Sequence, residues 1–124
     1  MEKMNKTSYT QLKVWQKGMD MVEEIYHITL KLPESERFGL ISQLRRAAVS
    51  VPSNIAEGYS RMTTKEYINF LSIARGSNAE LETQLLICKR LNYLSDSDLS
   101  LAFPLLKEIG KMISAIINTL GTKN

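Results

Sequence analysis

Cysteine and histidine are nearly missing: the 124 residues hold one of each, Cys88 and His27. A lone cysteine excludes an internal disulfide and fits a reducing compartment. One His and one Cys cannot supply a metal cluster, and the repeated Glu-x-x-His pairs of a di-metal bundle are absent. His27 therefore reads as an ordinary helix residue, and Cys88, on an apolar seam, as an inert buried thiol. No apolar run approaches the roughly 18 residues of a membrane span. The opening MEKMNKTSYT has no signal-peptide core, so the expected location is the cytoplasm, with no membrane partner. Gly-rich phosphate loops and nucleophile elbows are also missing. Neither a cofactor nor a metal is expected. Excess charge is slight: 16 Lys and Arg against 13 Asp and Glu give +3, which permits a polyanion partner without requiring one.

What is present is helical periodicity. Trp15, Met19, Val22, Ile25, Tyr26 and Thr29 recur at steps of three and four, which predicts helix 1 over residues 10–32, ended by Pro33. Ser35 is the expected N-cap of helix 2, over residues 36–59. Thr63 with Glu66 has the form of a capping box opening helix 3, over residues 65–91. Ser97 or Asp96 is expected to cap helix 4, which runs to about Leu120 and is kinked at Pro104. An alternative places Pro104 in the first turn of a later helix. Four long helices on short loops predict an all-α, antiparallel, up-down-up-down four-helix bundle. The chain reads as a single domain over residues 1–124, with 1–9 flexible.

Helix 2 carries two stripes. Ile41, Leu44, Ala48, Val51, Ile55, Gly58 and Met62 form a core seam. One residue back, about 100° round the helix, Gln43, Ala47, Ser50, Asn54, Glu57 and Arg61 form a second stripe, small and hydrogen-bonding. Helix 3 has the seam Tyr67, Leu71, Ala74, Leu81, Leu85 and Cys88, interrupted by Asn78. A second seam joins Phe70, Ile73, Ser77, Gln84, Ile87 and Leu91, with Glu80 inside it. Two seams on one helix point to an additional contact, most simply with another copy of the chain; the plainer reading confines them to contacts between helices of one bundle. In either case Gln43, Arg46, Ser50, Asn54, Glu57, Ser77 and Glu80 are the expected polar seam. Antiparallel pairing sets Arg45 and Arg46 opposite residues 77–80, so an ion pair to Glu80 is expected, with phosphate binding as the other role for these arginines.

Pro52, inside helix 2, costs roughly 3 kcal/mol in a helix interior and is expected to bend it. The best acid candidate is Glu57, although pairing with Arg61 explains it without catalysis. Basic residues gather at the end holding the start of helix 1 and the helix 2–3 loop: Lys13, Lys17, Arg61, Lys65 and Lys123, with Lys3 and Lys6 nearby. Repeated round an assembly, that end would suit phosphate backbones, and Lys13, Lys17, Arg61 and Lys65 are the candidate nucleic-acid contacts.

VWQKGMDMVEEIY, ERFGLISQLRRAAVSVPSNIAEGYSR, EYINFLSIARGSNAELETQL and LNYL, in that order, resemble the bacterial four-helix bundle proteins encoded in intervening sequences of 23S ribosomal RNA genes. The pattern R-A-A-x-S-x-P-x-N-I-A-E-G over residues 46–58 and A-x-G-S-x-x-E-L over 74–81 carry the resemblance. It implies an antiparallel bundle forming homopentamers. It also implies relatedness to the accessory variability protein of diversity-generating retroelements, which binds nucleic acid and a reverse transcriptase. The expected function is that of a non-enzymatic homo-oligomeric bundle that binds RNA or DNA. A protein-interaction adaptor, for instance for a reverse transcriptase, is the alternative, and a hydrolase or nuclease using Glu57 is the least favoured.

Overall fold

The structure, a computed structural model, describes residues 8–122. Four helices follow in order: α1 (Lys13–Thr29), α2 (Leu40–Tyr59), α3 (Thr64–Arg90) and α4 (Ala102–Thr122). Lys3, Lys6 and Lys123 lie outside the described residues.

The helix ends depart from expectation for local reasons. Ser8 Oγ accepts from the Thr10 amide at 3.2 Å and opens a short 3₁₀ turn, Tyr9–Gln11. Leu12 is extended, so α1 starts three residues later than the periodicity predicts. Tyr9 packs edge-on against Trp15 at 5.5 Å, and residues 1–7 of the lead expected to be flexible lie outside the described residues.

After Pro33 a second 3₁₀ turn, Glu34–Glu36, takes the place of the first helical turn expected at Glu36. The N-cap position of α2 is Gly39, not Ser35, and has no side chain to cap with; Glu36 supplies the acceptor instead, its Oε1 taking the Leu40 amide at 3.1 Å. Gly39 makes that approach possible, because a Cβ there would stand 2.6 Å from the same oxygen. Glu36 Oε2 also accepts from the Tyr93 hydroxyl at 3.0 Å, which ties the α1–α2 connection to the α3–α4 connection.

Thr63 caps α3 as its sequence predicts, accepting from the Glu66 amide at 3.1 Å. The far end of α3 closes through Asn92 at φ 64°, a left-handed position that asparagine tolerates. Tyr93 N–H returns to the Cys88 carbonyl and Asn92 N–H to that of Lys89, the paired bonds of a Schellman motif.

Pro104 does not kink a long helix 4. It is the third residue of α4, in the first turn, where its missing amide has no helical partner to lose. The residues before it form turns instead: Ser95 N–H donates to Asp98 Oδ2 at 2.9 Å, and Asp98 N–H donates back to Ser95 Oγ at 3.1 Å. Lys31 Nζ lies 2.7 Å from Asp98 Oδ1. The Lys31 hydrogen bond, followed by the two from Ser95, holds the Asp98 carboxyl down at about 2.

Cross-helix pairings show antiparallel neighbours throughout. Gly18 meets Pro52 while Thr29 meets Arg45. Gly58 meets Tyr67 and Phe70 while Gln43 meets Gln84. Arg75 reaches Ser114 while Asn78 reaches Leu106. The α4 helix closes back on α1, and the backbones of the diagonal pairs stay apart across the shared core. The core runs down the centre, with Met21, Ile25, Leu44, Ile55, Leu71, Leu81, Leu85, Ile109 and Ile113 fully buried. Each such side chain contributes about 1.5–3 kcal/mol of transfer free energy. The expected α2 core seam faces inward except for Met62, which lies past the helix end and is 84% exposed.

Two contacts explain the helix-weakening residues of α2. Pro52 is buried against α1, where a Cβ on Gly18 would sit 3.3 Å from the proline Cβ. Gly58 lets α3 come in until a Cβ would lie 2.7 Å from Phe70 Cβ and 3.2 Å from the Tyr67 carbonyl oxygen. Gly58→Ala should therefore destabilise the protein by roughly 1–3 kcal/mol through overpacking, despite a helix-propensity gain of up to about 1 kcal/mol. Gly76 has nothing within 4 Å of its Cβ position. Gly76→Ala should accordingly stabilise by about 0.5–1 kcal/mol. Urea denaturation of the two variants checks the contrast, and equal shifts would contradict it.

Candidate nucleic-acid interface

The bundle brings the starts of α1 and α3 to one end, so the four basic candidates share that end. Two are spent on pairing. Lys17 Nζ lies 3.5 Å from Glu108 Oε1 on α4. Arg61 is 2.7 Å from Glu57 Oε2 and 4.0 Å from Glu66 Oε2, with its guanidinium 4.8 Å from the Phe70 ring centroid. That arginine is a clamp across the α2–α3 turn. Lys13 and Lys65 are exposed and form no ion pair or side-chain hydrogen bond among the described residues. Each stands in the first turn of its helix, where the amide ends of the backbone already present partial positive charge.

Of the expected polar seam, Ser50, Asn54 and Ser77 bond to one another at the α2–α3 contact of one chain, while Gln43, Arg46, Glu57 and Glu80 are exposed. Asn54 Nδ2 donates to the Ser50 carbonyl at 2.8 Å and to Ser50 Oγ at 2.9 Å, and the Ser50 and Ser77 hydroxyls share a hydrogen bond at 2.8 Å. Gln84 Nε2 donates to Gln43 Oε1 at 3.4 Å. Glu57 turns instead along its own helix to Arg61. Arg46 and Glu80 face a shallow groove of about 320 Å³ beside Ser50 and Ser77.

The ion pair expected between Arg45 or Arg46 and Glu80 does not form. Arg45 faces α1: its Nε donates to Thr29 Oγ1 at 3.0 Å, and its guanidinium lies 4.4 Å from the Tyr26 ring centroid. One position on, about 100° round α2, Arg46 reaches neither that site nor Glu80.

Two contacts escaped the sequence reading. The buried Asn78 that interrupts the α3 seam donates through Nδ2 to the Leu106 carbonyl at 2.9 Å, joining α3 to α4. Glu36 caps one connection and receives Tyr93 from the other. Asn78 was visible as a polar break in an apolar seam; for Glu36 the only signal was its position four residues before Leu40.

Burial is the leading cause at two of the perturbed groups, Tyr67 and Cys88. It pushes the Tyr67 hydroxyl up to about 12, with neighbouring Tyr59 adding to the shift; the two rings meet edge-on at 5.7 Å. It likewise pushes the Cys88 thiol up to about 11, with Glu36 contributing. Among the described residues, no three His, Cys, Asp or Glu side chains gather as a metal site.

The sequence model of the 23S rRNA-intervening sequence protein family matches residues 10–115. The chain belongs to that family. Both motif stretches of α2 and α3 fall inside the match. Among solved structures it is similar to a protein of unknown function from the S23 ribosomal protein family of Bacteroides thetaiotaomicron, with a TM-score of 0.75 and 25% identity. The alignment covers 84% of this chain and 97% of that one. No curated protein matches the chain.

Cys88 gives a direct check on the packed α3 seam. At pH 8 a pKa of about 11, against 9.0 for a free thiol, leaves about 100-fold less thiolate, and full burial slows attack further. A disulfide reagent should therefore label the native protein at least ~100-fold more slowly than the urea-unfolded chain. Comparable rates would show that this seam opens readily.

Proposed function

We propose that this chain is a non-enzymatic, cytoplasmic, homo-oligomeric bundle that binds the phosphate backbone of RNA or DNA. The observation carrying the nucleic-acid reading is the placement of Lys13 and Lys65. Both are unpaired, exposed and set in the first turns of two helices that begin at the same end. A cation there works against the helix dipole by a few tenths of a kcal/mol, a cost that an incoming phosphate reverses. Lys17 and Arg61, held by carboxylates, serve as secondary contacts at most. Self-association multiplies the end charge, since the excess per chain is only +3. Among the described residues, no helix is long and apolar enough to cross a membrane.

Binding carried by phosphates is sequence-tolerant and falls steeply with salt, each contact contributing roughly −0.7 to −0.9 to the logarithmic slope. Replacing Lys13 and Lys65 by Gln should flatten that slope by about 1.4–1.8 for every subunit engaged on the strand. Fluorescence anisotropy with a labelled single-stranded RNA across a salt series measures it. An unchanged slope and affinity would remove the nucleic-acid reading and leave a protein partner in its place.

A further inference from the structure

The four outer grooves of the bundle differ in chemistry, and two of them are complementary. The α3–α4 groove is the largest, about 630 Å³. Small residues line it, Ala79 on α3 and Gly110 on α4, the latter next to the buried Asn78, and Arg75, Lys107 and Lys111 border it with one carboxylate, Glu82. Among the described residues, Lys107 and Lys111 have no side-chain partner, and Arg75 reaches only the Ser114 hydroxyl at 3.3 Å.

On the other side of α4, the α1–α4 groove is acidic. Asp20, Glu24 and Glu108 surround Leu101 and Leu105 there. Lys17 engages Glu108, while Asp20 and Glu24 remain unpaired. Leu101, just before α4, is 69% exposed, a large apolar side chain with carboxylates around it and left uncovered by the described residues. An apolar centre within a charged rim is the anatomy of a protein–protein contact, and these two rims carry opposite charge.

We propose that a second copy of this chain docks its acidic α1–α4 face into the basic α3–α4 groove of the first, with Leu101 entering between the small residues and Asp20 and Glu24 meeting Lys107 and Lys111. The inference rests on the homo-oligomer reading and specifies its interface. The contact is heterologous, because each copy uses one face as donor and the other as acceptor, so it propagates from copy to copy.

Charge exchange tests it, with sedimentation velocity as the readout and circular dichroism as the check on folding. The wild type should sediment at several times the chain mass of 14.1 kDa. Lys107→Glu with Lys111→Glu sets negative against negative; Asp20→Lys with Glu24→Lys sets positive against positive. Each pair should weaken assembly at least ~10-fold, as should Leu101→Asp. All four charge substitutions in one chain restore opposite signs and should restore assembly. Dissociation by each pair without recovery in the four-site variant overturns the pairing. Assembly untouched in every variant overturns this interface while the homo-oligomer reading stands. A wild type sedimenting as a 14.1 kDa monomer at micromolar concentration overturns both.

Discussion

The close approach of α2 to α3 is the constraint from which most of the structure follows. This is the most extensive helix pair in the chain, and it is built from residues that are poor helix formers. Gly58 removes the Cβ that would strike Phe70 and the Tyr67 backbone, and Ser50 and Ser77 are short enough for their hydroxyls to meet at 2.8 Å. Such spacing leaves no room for long side chains along the middle of the contact. The Arg61 clamp closes one end, and the Gln43–Gln84 pair lies toward the other. Once α2 and α3 are so held, Pro52 on the opposite side of α2 presents a flat surface to α1 at Gly18. The two remaining helices then close the ring round the core.

Helix periodicity made the architecture legible because an apolar stripe at 3.6 residues per turn has few ways to be buried. The capping box at Thr63 was legible for the same kind of reason, a local bond between residues three apart. What escaped reading was set by partners far away in sequence. The start of α2 depends on Glu36, whose carboxylate is shared with Tyr93, 57 residues on. The α4 start depends on the Ser95–Asp98 turn and on Lys31, so Leu101 keeps helical spacing with α4 without belonging to it. Arg45 was misassigned because antiparallel pairing fixes which residues are level but not which flank of the helix each one faces.

The candidate sites divide along the same line. That the small polar stripe of α2 was unusual could be read directly; that most of its hydrogen bonds are satisfied inside one chain required the coordinates of both helices. Lys13, Lys17, Arg61 and Lys65 could be placed at one end from topology alone, whereas the carboxylates that occupy Lys17 and Arg61 could not. The surface that remains is divided by chemistry into free lysines at one end, a basic groove lined by small residues, and an acidic edge bearing an exposed leucine.

If the α2–α3 contact is the constraint on which the fold depends, it should be the last to open. Native-state hydrogen exchange measures this residue by residue, since segments that open only with the whole molecule exchange slowest. Amides in the middle turns of α2 and α3, within residues 47–55 and 71–85, should show the highest protection and the same opening free energy as global unfolding. Those of α1 and the last turns of α4 should exchange earlier. Protection in α1 or α4 that outlasts the middle of α2 and α3 would contradict the account.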